Sequence, residues 1–213
     1  EETAEGWSWV QNDADGYVGY VPSGALADPG PAPTHRVGVL RTFVYPGPDM
    51  KLPARTWLSL GSAVPTTGET VETRGTLFHL LAGGEGAIVA SHLAPVDAPP
   101  EPDFVAVAER FLETPYLWGG RSSLGLDCSA LVQLPLMAAG QPAPRDTDMQ
   151  ERALGAPVAG GIDAALVRGD LVFWKGHVAI MLDAAGMVHA SGYHMRVVRE
   201  PLAEAVERIA RSA

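Results

Sequence analysis

Three residues of this 213-residue chain have types and an order that could do nucleophilic chemistry: Cys128, His177 and His189. A thiol attacks a carbonyl as its anion, so it needs a base to take its proton and a third polar group to orient that base. Cys128 is the only cysteine. It sits in PYLWGGRSSLGLDCSALVQ, where a glycine-rich, turn-forming stretch runs into a helical pattern. From Ser129 to Ala139 the apolar residues recur at helical spacing and Gly140 stops them, which places the thiol at or just before a first helical turn. Free N–H groups and the positive dipole end there favour thiolate over thiol. A lone cysteine is more often a small buried hydrophobe than a nucleophile. Here, however, Asp127 and Ser129 flank it, and Gly119, Gly120 and Gly125 are expected to let backbone approach a ligand closely.

Six histidines are available as partners. His35, His79 and His92 lie in β-type sequence and read as surface or satisfied polar residues, and His194 has no distinguishing neighbour. His177 opens HVAIML behind Lys175-Gly176, and His189 lies in MVHAS, with DAAG as the turn between two strands. If Leu182 pairs with Met187 across a four-residue loop, the two rings point to opposite faces. A bulge or a longer loop restores one face, and the sequence leaves both registers open. A zinc site built from Cys128, His177 and His189 is a third reading, since thiolate and imidazole suit that metal. Flanking glycines and a helix start serve a nucleophile and are not needed by a metal, so neither a metal nor another cofactor is expected.

The elements that must position these residues fall into two textures. The first hundred residues are rich in short β-type runs (WSWV, YVGYV, VGVL, GAIVA) broken by PSG, PGPAP and PGPD, which reads as small β modules. GYVPSGAL at Gly19–Leu26 is echoed by GAIVASHL at Gly86–Leu93, each octet closing a module. The expected organisation is a first module over 1–30, which reads as incomplete, a second over 34–96, a proline-rich linker over 97–102, and a domain over 103–213. In that domain Asp103 to Leu112 forms a helical stripe with Pro115 as its stop, GQPAPRDTDMQ reads as a polar loop, and RGDLVFWKGHVAIMLDAAGMVHAS holds two or three strands. Pro201 opens a final amphipathic helix through Leu202, Val206 and Ile209. Helices followed by a small antiparallel sheet give an α+β domain. Pro135 inside the cysteine helix is expected to kink it.

Composition excludes other classes. The hydrophobic fraction of 46% suits a folded chain, and no apolar run is long enough to span a bilayer. The 15 basic residues are scattered against 25 acidic ones, for a net charge of −10, so nucleic acid is not an expected partner. One cysteine excludes an internal disulfide framework.

From Pro102 onward the chain resembles the NlpC-type cysteine peptidases of bacterial cell-wall peptides, on YLWGGRSSLGLDCSALVQ, PRDTDMQ, RGDLVFWKGHVAIML and MVHAS. The resemblance implies a papain-like α+β fold in which the cysteine helix packs on an antiparallel sheet. It implies Cys128 as nucleophile, His177 as base and His189 as the group that orients His177. The Cys128 N–H and the Tyr116 hydroxyl become candidate oxyanion donors. Tyr116 and Trp118 read equally as core aromatics or pocket lining. Asp127, Ser129, Asp146 and Thr147 become candidate substrate-binding residues, with helix capping as the other reading of Asp127 and Ser129.

The N-terminal segments resemble bacterial SH3-type modules, GYVGYVP carrying their closing pattern. Together the two resemblances imply hydrolysis of the γ-D-glutamyl to diamino acid bond of murein stem peptides through an acyl-enzyme. A module closing one end of the cleft would select short peptides with a free N-terminal L-alanine. Tyr17 is the candidate for that closure, with Tyr20 second, and Asp146 would suit the substrate ammonium. The alternatives are a non-catalytic peptidoglycan-binding protein, or an amidase or acyltransferase acting on another amide. A monomer with a murein peptide as its partner is expected, and cytoplasmic peptide recycling is favoured over the periplasm or the exterior. The chain departs from the resemblance at Ala130, where glycine is usual, and at GAIVA, where an aromatic is typical.

Overall fold

The computed structural model describes residues 5–84 and 86–212, so the first four residues of the expected first module, Glu85 of the expected second and Ala213 lie outside the described residues. The chain forms two compact units, one joining the residues up to Leu26 to those from Pro100 onward, the other spanning Ala27–Pro99. No helix among the described residues is long and apolar enough to cross a membrane.

The Ala27–Pro99 unit is built of short antiparallel strands. His35–Val37 lies between Leu93–Pro95 and Ala63–Val64, and Thr76–Leu81 lies between Thr66–Thr73 and Ala87–Val89. Val37, Val44, Val64 and Ile88 form its core. The echoed octets have the same local form in both units: the strand Val18–Pro22 runs into a 3₁₀ turn at Ser23–Ala25, and Ala87–Val89 runs into one at Ala90–His92. Among this unit's histidines, His92 Nδ1 pairs with the Thr42 hydroxyl at 2.8 Å and His35 Nδ1 with that of Thr34 at 2.9 Å.

The other unit centres on a four-stranded antiparallel meander, Leu171–Trp174, His177–Met181, Gly186–Ser191 and Arg196–Pro201, in chain order. Three of these strands fall in the stretch expected to hold two or three. The fourth comes from RVVREP, whose Val197, Val198 and Glu200 are buried. Ala179, Met181 and Met187 pack with Leu202 and Ala205 of the last helix, Leu202–Ser212. The cysteine helix, Cys128–Ala138, packs on the two central strands. It runs on through Pro135 for three residues, so the expected kink does not end it, and Gly140 at φ +74° terminates it. The helix starting after Asp103 stops at Glu109, short of the expected Leu112, and Glu113 then turns the chain at φ +67°.

GQPAPRDTDMQ departs from the expected loop, because Thr147–Ala153 is helical. Seven residues are too few to display an amphipathic period. What holds this helix in place is the buried Gln150 amide, which donates to the Ser129 and Pro144 carbonyls, each at 2.9 Å.

The hairpin register resolves the question left by the two histidines. Met181 lies opposite Met187, and Leu182 N–H donates to the Gly186 carbonyl at 2.8 Å. Asp183 Oδ1 accepts from the N–H groups of Ala185 and Gly186, both at 2.8 Å, which tightens the turn to one residue fewer than the four-residue loop considered from sequence. That slip of one position puts His177 and His189 on the same face, without a bulge.

Candidate active site

Cys128 is the first residue of its helix and is 6% exposed. Asp127 makes the cap: its Oδ1 accepts from Ala130 N–H at 2.9 Å and from the Ser129 hydroxyl at 3.1 Å. Arg145 grips both carboxylate oxygens at 3.0 and 2.7 Å and also donates to Ser129 Oγ at 2.7 Å. Asp127 and Ser129 are therefore fully engaged in holding the helix start. The thiol lies 3.7 Å from the Thr147 hydroxyl and 3.9 Å from the Gly176 carbonyl, beside the residue that opens the histidine strand. Burial raises its pKa above the usual thiol value, although the Thr147 hydroxyl and the N–H groups of Val178 and Ser129 pull it down. The helix start was expected to favour thiolate, and burial acts in the opposite direction as the larger influence.

The ladder between the two central strands is formed at Ile180↔Val188 and Met181↔Met187. Beyond its last rung the histidine side chains link the strands, His177 Nε2 to His189 Nδ1 at 2.8 Å. His189 Nε2 continues to Glu200 Oε2 at 2.9 Å, and Arg208 donates to both Glu200 oxygens at 2.8 and 2.6 Å. Burial lowers His177 to about 4, helped by the charges of His189 and Arg208. Burial likewise lowers His189 to about 4, against the pull of Glu200. Glu200 itself is opposed by burial but held below the usual carboxylate range by Arg208 and His189. Both imidazoles are therefore uncharged at neutral pH.

A cleft of about 390 Å³ opens over the thiol, and Tyr17, Tyr116, Trp118, Asp146 and Thr147 are among its walls. Tyr17 reaches it from the hairpin Trp7–Gln11/Val18–Pro22 and donates its hydroxyl to Asp146 Oδ2 at 3.1 Å. The hairpin turn is fastened by Asp15, whose 1%-exposed side chain pairs with Arg121 at 3.1 Å and accepts from Gln133 Nε2 at 3.0 Å. Tyr20, the second candidate, is 60% exposed, meets Trp9 edge-on and is not part of the cleft. Trp118 is 84% exposed and stands on the rim, while Tyr116 is half-buried.

Two of the three glycines expected to approach a ligand approach their own chain instead. A Cβ on Gly120 would meet the Gly125 carbonyl oxygen at 2.6 Å, and one on Gly125 would meet Leu117 Cβ at 2.8 Å. Gly119, at φ +73°, lines the cleft and donates its N–H to Asp127 at 3.1 Å. Sequence reasoning missed Asp15, Arg145, Glu200 and Arg208. The arginine preceding the acidic pair in PRDTD was the one local signal for Arg145. Glu200 lies in a strand of mixed polarity, RVVREP, and its burial leaves no local mark in the sequence.

Residues 113–208 match the NlpC/P60 family, and residues 1–26 match the bacterial dipeptidyl-peptidase Sh3 domain. Dipeptidyl-peptidase 6 of Lysinibacillus sphaericus is 39% identical over 87 residues, covering 41% of this chain and 31% of that protein. The γ-D-glutamyl-L-lysine dipeptidyl-peptidase of Bacillus cereus is 32% identical over 103 residues, covering 45% of this chain and 30% of that protein. The chain therefore spans under a third of the length of these curated relatives. A crystal structure of an NlpC/P60 family protein from Bacillus cereus aligns with a TM-score of 0.71 at 25% identity, over 95% of this chain and 73% of that one. A buried cysteine at a helix start, packed on an antiparallel meander and accompanied by these matches, identifies residues 113–208 as an NlpC/P60 domain.

Proposed function

We propose that the chain is a cysteine peptidase that hydrolyses the γ-D-glutamyl to diamino acid bond of short murein peptides carrying a free N-terminal L-alanine. The observation that carries this reading is the Tyr17–Asp146 contact at 3.1 Å in the cleft over Cys128. It sets an acidic group for an ammonium at an end walled by an aromatic ring. The names of the relatives, among them γ-D-glutamyl-L-lysine dipeptidyl-peptidases of Bacillus cereus and Bacillus subtilis, support the same bond.

In this mechanism Cys128 Sγ passes its proton to His177 as it attacks the γ-carbonyl carbon. The developing oxyanion is met by the Cys128 N–H and the Tyr116 hydroxyl. Collapse breaks the C–N bond, the leaving amine takes the proton from His177, and a thioester remains. Water, deprotonated by the same imidazole, then opens the thioester and returns the thiol. Thr147 steadies the sulfur, and His189 orients His177. Asp127 and Ser129 contribute to substrate binding by holding Arg145 and the cleft floor in place.

The test is incubation with L-Ala-γ-D-Glu-L-Lys, its diaminopimelate counterpart and the N-acetylated form of each, followed by mass spectrometry. Free diamino acid and L-Ala-D-Glu are expected from the unblocked peptides, with the acetylated ones cut far more slowly. Equal cleavage of both forms would remove the closed-end reading, and no cleavage of any would remove the peptidase reading.

A further inference from the structure

The hydrogen-bond chain behind the thiol ends on a group that the nucleophile, base and orienting residue do not account for. Glu200 is 9% exposed and Arg208 holds both of its oxygens. A carboxylate can only accept, so the 2.9 Å contact to His189 requires the proton on His189 Nε2. A neutral His189 then presents Nδ1 as a bare acceptor. The 2.8 Å contact from that atom to His177 Nε2 therefore requires the proton of His177 on Nε2. The nitrogen left without a proton is His177 Nδ1, which is the form a base must have to accept from Cys128.

We propose that Glu200, clamped by Arg208, is a positioning residue that fixes the proton-bearing nitrogen of both histidines and so keeps His177 ready to receive the thiol proton. Arg208 has a second part in this. Glu200 pulls protons onto the two rings, the charge of Arg208 opposes that pull on both, and His194, 3.8 Å from Glu200 Oε1, opposes it at His189. The pair orders the protons without charging the rings, so the base is free at neutral pH. Neither residue touches the reacting atoms, and both act through His189. The inference rests on the reading of Cys128 as nucleophile and His177 as base, and is independent of which amide is cut.

The experiment is ¹⁵N NMR of the two imidazoles in the intact chain, together with the alkylation rate of Cys128 by iodoacetamide between pH 3.5 and pH 9. Wild type is expected to show Nε2–H on both rings at pH 7, with alkylation falling as the pH drops through about 4, where His177 gains its proton. Glu200→Gln replaces a pure acceptor by a group that can also donate. It is expected to mix the tautomers and to slow alkylation per folded molecule at pH 7 by about tenfold, with Glu200→Asp recovering most of the rate. Arg208→Met is expected to move the acid limb upward, and Glu200→Gln added to it to cancel that move. A wild-type His177 protonated on Nδ1 would overturn the proposal, as would unchanged tautomers and alkylation in Glu200→Gln. Because neither readout uses a peptide, a failure here is separable from a failure to cleave murein substrates.

Discussion

Two arginine–carboxylate pairs, one buried and one partly buried, flank the candidate site, and they do different work with the same chemistry. Asp127 and Arg145 stand at the cysteine end, 2.7 Å apart, and Glu200 and Arg208 stand at the histidine end, 2.6 Å apart. The remaining acceptor capacity of Asp127 is taken by Ala130 N–H, Gly119 N–H and the Ser129 hydroxyl, none of which titrates near neutral pH. Glu200 spends its capacity on a titratable ring, His189 Nε2 at 2.9 Å. A charge pair that ends on backbone fixes geometry, whereas one that ends on imidazole also fixes where protons reside. Which kind a pair becomes depends on its third partner, and the arginine is common to both.

The division can be broken at several strengths. The largest effect expected is from Cys128→Ala, which removes the atom proposed to attack and should lower turnover of the unblocked tripeptide by roughly 10⁴-fold or more with the circular dichroism spectrum unchanged. Retained hydrolysis would mean that neither pair serves this thiol. Next comes Asp127→Asn, which leaves Arg145 buried without its counter-charge and should cost about 3 kcal/mol in denaturant unfolding. Activity per folded molecule should fall far less. If activity disappears while stability holds, Asp127 is not the scaffold that its contacts describe. The smallest effect is expected from Asp15→Asn, which weakens the hairpin anchor on Arg121 and Gln133. KM for the unblocked peptide should rise about tenfold, the scale of one charge-assisted hydrogen bond, with kcat nearly unchanged and some cleavage of the acetylated peptide appearing. An unchanged KM would show that Tyr17 holds its place without Asp15.

Sequence reasoning reached the helix start at Cys128, its stop at Gly140, the histidine strands and the α+β class, because each leaves a local mark: a period, a cap or a glycine. The register of the hairpin left none. Four residues in the DAAG loop or three reads the same by composition, and only the double acceptance by Asp183 Oδ1 separates them. The burial of the thiol is hidden for a related reason, since a helix terminus is visible in sequence and the desolvation that opposes it is a property of the packed site. Asp15 meets Arg121 and Gln133 across more than a hundred residues of chain. Such pairings carry no periodicity, and their partners become visible only when the fold has closed.

Asp15 also bears on what counts as a part of this molecule. Its carboxylate is one of the least exposed charges in the fold, and it belongs to a segment that reads in sequence as an accessory to the domain it enters. Arg121 is itself half-buried, with burial depressing its pKa and Asp15 acting against that depression. Cutting the hairpin away would strand a guanidinium and the Gln133 amide in an interior they entered as partners of Asp15. The module and the enzyme half are thus separable on paper and joined in free energy, so exchanging one hairpin for another would have to carry the acid with it.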